Sequence, residues 1–388
     1  MNRIFEIILA SLRSVLCADK DELEKIGDLD ESTLQEVYKL SKKHDMAHLV
    51  GYALDRNHML DNSDTKNKFA KEQYLAVYRY ENIKYETGRI CSVFDEENIP
   101  YVKLKGSVIR DIYPEPWMRT SCDIDILVHK SDVERATDSL INAFGYKRIE
   151  KQEEHDVSLI SEGGVHLELH FSITENIKTA DKILEKAWDY TQKTDENRSE
   201  YCFTQEFFIL YHIAHMIRHF LIGGCGIRAL CDLYLLKYAR GYDEKEVSEL
   251  CQKAQIERFY LEMLRIAEAW FENKEKDELC ERIEEYIFFG GAYGTEETNI
   301  AVKQGAAGGK LRYLGKRIFA PYDYLKQKYP SMKSKALIPI YQVRRWIDAI
   351  NEQSFRRSIK ELKTSNGLDN ANVEKIYWIM RELEVDKH

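Results

Sequence analysis

"MRTSCDIDILVHK", residues 118–130, sets Asp123 and Asp125 one residue apart inside an otherwise apolar run of Ile124, Ile126, Leu127 and Val128. The run reads as a strand, and side chains on a strand alternate between faces. Both aspartates therefore point one way, with Ile124 and Ile126 on the other side. Two like charges that close destabilise each other unless something positive sits between them. Alternating acids are also common on solvated strand faces, and for the pair taken alone that plain reading has the edge.

The neighbouring sequence shifts the balance. "YVKLK" (101–105) predicts a short strand, followed by Gly106 and Ser107 where the chain turns into a helix. Such a turn lets backbone N–H groups approach a phosphate. "SDVERATDSLINAFGY" (131–146) predicts a helix with Ser131 as N-cap, Glu134 completing a capping box, and Gly145 at its end. Val133, Ala136, Leu140, Ile141 and Phe144 form its apolar face. "HDVSLI", the turn "SEGG" and "VHLELHF" predict a hairpin whose second strand carries His166, Glu168 and His170 on one face. If that strand lies beside the first, Glu168 becomes a third carboxylate at one site. A divalent cation would relieve the repulsion, and Mg²⁺ prefers such oxygen ligands. Three carboxylates suffice for two ions about 4 Å apart, clamping the attacking and leaving oxygens of a phosphoryl transfer.

The six prolines cluster at residues 100–116 and 321–339, and the long tracts between and around them permit helix. The expected organisation is an N-terminal helical region (1–97), an α+β core with a small mixed sheet (98–195) and a C-terminal helical domain (200–388) closing a cleft. The glycine-rich stretch 290–310, "GGAYGTEETNIAVKQGAAGGK", reads as a loop. At 388 residues, 44% hydrophobic and 32% charged, the chain has material for two or three domains. A net charge of −9 argues against a general nucleic-acid binder. Eight cysteines without a C-x-x-C pair read as reduced thiols. Cys122 reads as a small strand-edge residue ahead of a nucleophile. The N-terminus carries Glu6 and Arg13 within its apolar part, so it reads as an amphipathic helix and not an export signal. "FFILYHIAHMI" (207–217) is too short to span a bilayer. A cytoplasmic protein without a membrane partner is expected.

Lys105-Gly106, Tyr113-Pro114, Arg119, the Asp123/Asp125 pair and Glu168-Leu169-His170 together resemble the polymerase-β-like nucleotidyltransferase superfamily. They are most similar to its bacterial branch of uncharacterised nucleotidyltransferases, and the likeness extends over residues 85–350. The resemblance implies transfer of a nucleotidyl group from an NTP, ATP first among them, to a small-molecule or protein acceptor with release of pyrophosphate. It implies Asp123, Asp125 and Glu168 as catalytic ligands of Mg²⁺, or of Mn²⁺, with Glu168 also a base toward the acceptor. Lys105, Gly106, Ser107 and Arg119 would bind nucleotide. Gly106 and Asp123 are 17 positions apart, longer than in the wider superfamily, with "YPEPWMRT" inserted between.

Other features carry alternatives. Arg119 suits either phosphate contact or neutralisation of the aspartates. His212, His215 and His219 recur along one helix, and buried, hydrogen-bonded histidines outweigh a zinc site because no further ligand type lies nearby. Residues 303–345 hold eleven Lys or Arg and one acid, with Tyr313, Tyr322, Tyr324, Tyr329 and Tyr341 interleaved. That segment reads as a solvated face or a surface for an anionic partner, RNA included. A catalytically silent binding or regulatory protein of the same fold and an RNA-binding protein are the competing functions.

Overall fold

The alternating run Asp123–Val128 forms the middle of a seven-stranded mixed sheet in the computed structural model. The structure describes residues 3–17, 21–61, 63–149, 155–292, 294–351, 364 and 367–386. The strands are β1 (Tyr101–Lys103), β2 (Asp123–Val128), β3 (Lys147–Arg148), β4 (Asp156–Ile160), β5 (His166–His170), β6 (Thr191–Lys193) and β7 (Glu200–Phe203), in the order β3-β4-β5-β2-β1-β7-β6. β2 runs antiparallel to β1 and parallel to β5. The predicted hairpin is β4–β5, antiparallel, with Ser158 opposite Glu168. The fold is α+β, as expected, and the sheet continues through β7, which pairs with β1.

The apolar face of the sheet explains its own cover. Ile124, Ile126, Val128, Leu167 and Leu169 are fully buried. They pack with Ile83, Ile90 and Phe94 and with Val133, Ala136 and Leu140. These residues come from two helices, numbered with two earlier ones: α1 (Arg3–Leu16), α2 (Ala47–Arg56), α3 (Lys66–Glu96) and α4 (Val133–Phe144). α4 lacks the predicted capping box. It begins at Val133 after Asp132, whose carboxylate is taken by Arg135 (2.8 Å), while Glu134 faces Arg148 (3.1 Å). Those guanidiniums compete successfully for both acids. α1 is more central than an amphipathic surface helix: Ile7 through Leu12 are all buried, and Arg13 reaches Glu22 and the Trp270 carbonyl.

The described residues cluster into two units, 3–218 with 226–292, and 219–225 with 294–386. The first holds the sheet and two helices used below, α5 (Gln205–Leu221, up to Arg218) and α6 (Ile227–Leu235). The second contains a helix where a loop was expected, α7 (Glu296–Ala306). Its start is set by a reciprocal capping box between Thr295 and Thr298, and Gly305 lets the Tyr377 side chain lie against the helix. Ala320, Leu325, Tyr329 and Met332 form a small separate core in this unit. Among the described residues, no helix is long and apolar enough to cross a membrane.

Candidate active site

The parallel register of β2 and β5 sets Asp123 opposite His166 and Asp125 opposite Glu168. Side chains of one parity share a face, so Asp123, Asp125, Glu168, His166 and His170 all lie on the side of the sheet away from α3 and α4. Ligand atoms of Asp123, His166 and Glu168 fall within 4.8 Å of one another, as do those of Asp125, Glu168 and His170. Asp125 is buried, whereas the Glu168 side chain keeps 29% of its surface in solvent. Asp156, opposite His170 on β4, accepts a hydrogen bond from Ser158, and Glu162 lies in the turn beside Gly145.

The charges at this site are unevenly balanced. Lys105 Nζ lies 3.3 Å from Asp125 Oδ1 and His170 Nε2 lies 2.8 Å from the same atom. Burial alone would push the Asp125 carboxyl up, but the Lys105 charge and the His170 hydrogen bond hold it well below the usual carboxylate range. His170 responds in kind. Burial opposes its charge, yet its bonds to Asp125 and Glu168 raise it to about 9, so the ring is an imidazolium. Asp123 is different. Burial first, then the charges of Asp125 and Glu168, push its carboxyl up, and among the described residues no cation lies within ion-pair distance of it. A half-buried carboxylate without a counter-ion, beside two more carboxylates, is a donor set suited to a hard divalent cation.

Lys105 reaches Asp125 from a strained backbone, φ 43° and ψ −116°, in the region that favours glycine. The adjoining turn Gly106–Ile109 is a single helical turn in which the Ser107 N–H donates to Leu104 O (3.0 Å). Gly106 is required by a close approach. A Cβ there would stand 2.4 Å from Arg119 Nη1. Arg119 is in turn fixed by Asp232 of α6, donating from Nη2 to Oδ2 (2.9 Å) and from Nε to Oδ1 (3.4 Å). The Tyr113 hydroxyl donates to Asp232 as well (2.7 Å). Burial opposes ionisation of Asp232, but Arg119 keeps it charged.

Two contributors escaped the reading of the sequence. Asp232 is one: a lone acid inside the apolar run "ALCDLYLL", a signal in itself. Arg110 is the other. It is buried, donates from Nε to Gly106 O and from Nη2 to Ser121 Oγ (both 2.7 Å), and has no carboxylate partner among the described residues. Burial and then the charge of Arg119 push it down to about 10.

Two of the helix-borne histidines, His212 and His215, sit in polar networks. His212 bonds the Ala229 carbonyl (3.2 Å), and His215 bonds buried Glu175 (2.8 Å), which Arg218 also contacts (3.0 Å). In the second unit, Tyr313 and Tyr329 of the basic segment are buried, Tyr329 donating to Asp348 (2.6 Å), whereas Tyr324 is exposed. Arg344 lies over the Tyr329 ring and Arg345 donates to Ile318 O. The Lys316 and Arg317 side chains lie outside the described residues.

A Thermotoga maritima CCA-adding enzyme, solved in complex with tRNA, aligns over 81% of this chain and 83% of its own at 15% identity and a TM-score of 0.26. No curated protein matches the chain. Residues 30–272, more than half of the sequence and including every strand, match the profile of the family described as "Uncharacterised nucleotidyltransferase". The chain belongs to that family.

Proposed function

We propose that this protein transfers a nucleotidyl group from an NTP, with ATP the first candidate, to an acceptor hydroxyl and releases pyrophosphate. The observation that carries this reading is the β2–β5 register, which gathers Asp123, Asp125 and Glu168 while leaving Asp123 without a cation. These three would hold Mg²⁺ or Mn²⁺, which when bound neutralises phosphate charge and polarises the reacting oxygens. Lys105 and His170 keep Asp125 ionised, so that ligand needs no deprotonation on binding. Glu168, the more solvent-accessible acid, takes the proton of the acceptor. Arg110, a buried charge in direct ion-pair contact with no carboxylate among the described residues, offers its remaining N–H groups to the phosphates. Arg119, braced by Asp232 over Gly106, holds that turn in place, and Gly106 and Ser107 remain part of the nucleotide-binding proposal. On this reading the domain is one of the polymerase-β-like superfamily.

The rival reading, a catalytically silent binding protein, draws on Lys105 and His170 already neutralising Asp125. The two separate with ATP labelled at the α- or the γ-phosphate, Mg²⁺ or Mn²⁺, and a cell extract. Transfer of α-label to an extract component, with γ-label in pyrophosphate, supports nucleotidyl transfer. Retention of intact ATP under all conditions supports the silent protein, and γ-label on the acceptor would mean phosphoryl transfer instead.

A further inference from the structure

α3 carries an apolar seam and an aromatic one, and the described residues cover only the first. Phe69, Ala76, Ile83 and Ile90 recur every seven residues and are buried against the first unit. A second seam follows the four-three spacing of a helix-pairing face: Tyr74, Tyr78, Glu81, Tyr85, Gly88. Here Tyr74 is 69% exposed, Tyr78 56% and Tyr85 66%, with Val77 beside them at 36%. The Tyr74 and Tyr78 rings stack with centroids 6.4 Å apart, and Arg89 lies over the Tyr85 ring, so the rings are held as a surface. An exposed aromatic face of this kind marks an interaction site.

Gly88 identifies the occupant. A glycine within an exposed helix weakens it, and nothing among the described residues requires one there, because a Cβ at Gly88 would meet none of their atoms within 4 Å. We propose that the seam pairs with the same seam of a second copy of this chain, the two α3 helices running antiparallel about a two-fold axis at Glu81. That axis lays Tyr74 in the notch at Gly88 of the second copy, Tyr85 against its Val77, and Tyr78 beside its Lys84. Large thus meets small, and ring meets cation. Each Glu81 lies one turn from the Lys84 of its own helix, which balances the two carboxylates at the axis. A parallel pairing would instead oppose glycine to glycine and leave a void. With half to two-thirds of each ring in water, six tyrosines bury roughly 700 Å². The residues around them bring the face to about the 1,000 Å² that a specific interface needs. The same patch on both partners closes the assembly as a dimer.

Sedimentation velocity of the full chain from low to high micromolar concentration tests this. The wild type should shift from monomer to dimer across that range. Gly88→Gln should raise the melting temperature of the dilute monomer, since glutamine is the better helix former, yet weaken the dimer at least tenfold. Tyr85→Glu should abolish dimerisation with an unchanged far-ultraviolet spectrum. A wild type that stays monomeric throughout, or a dimer whose dissociation constant is untouched by both substitutions, overturns the proposal.

Discussion

Asp123 and Asp125 are chemically identical and two residues apart, yet their surroundings make them opposites. Asp123 feels burial and like charge, whereas Asp125 is clasped by Lys105 and His170. Removing the charge at 123 relieves repulsion, so Asp123→Asn should stabilise the protein by about 1 kcal/mol. Removing it at 125 strands two cations in a buried site, so Asp125→Asn should cost about 3 kcal/mol. Both should abolish nucleotidyl transfer, and neither should retain tight Mn²⁺ binding by calorimetry. Urea denaturation of the two variants gives the comparison, and equal stability changes would show that the cations do not discriminate between the aspartates. The alternation that put both on one face was legible in the sequence, because a strand period of two needs no tertiary information. The cations that tell them apart come from the β1 turn and from β5, and only the register brings them in.

At the scale of single elements, short-range signals decide several starts and turns. The β4–β5 hairpin follows from the alternation around "SEGG". The stretch at 290–310 followed its capping residues and not its glycine content, since Thr295 and Thr298 exchange bonds at the start of α7. Thr295→Ala should therefore cost about 1 kcal/mol. Because the two threonines act through one box, adding Thr298→Ala should cost much less than a second such loss, which a double-mutant cycle of melting data would reveal. α6 depends on long-range contacts instead. Asp232 ties it to Arg119 and Tyr113, so Asp232→Ala should destabilise by about 3 kcal/mol, leaving the largely shielded Arg119 uncompensated. Loss of nucleotide affinity in that variant, restored in part by Asp232→Glu, would indicate that the brace holds the Gly106 turn; no effect on either stability or affinity would remove its role.

Across the first unit, neutral buried histidines link stability to pH. Burial pushes His44 and His212 down to about 4 from the ordinary value of 6.5. His44 shows why. Its Nδ1 accepts from the Ile227 N–H (3.4 Å) at the start of α6, so Nε2 carries the proton and donates to Phe288 O (3.1 Å). Protonating Nδ1 would break the first of these bonds. The folded pKa lies below the unfolded one, so the stabilisation is intact above pH 6.5 and is lost as pH falls toward 4, by about 3 kcal/mol for each ring. Urea midpoints measured between pH 7 and 4 should fall accordingly, and His44→Gln, which keeps a donor for Phe288 but cannot titrate, should flatten the slope by one proton. An unchanged slope in that variant would mean that His44 titrates normally in the folded state.

The sequence by itself determined the α+β class, the strand carrying the two aspartates, the hairpin carrying Glu168 and the family resemblance, because each rests on periodicity or on residues close together in the chain. Tertiary structure alone decided that β5 lies parallel to β2, that Asp232 from a helix more than a hundred residues away braces Arg119, and that Arg110 is buried with no carboxylate among the described residues in direct ion-pair contact. Those are pairings of charge across long chain separations. Local pattern cannot encode them, since a buried charge must find whichever partner the folded chain brings within a few ångströms.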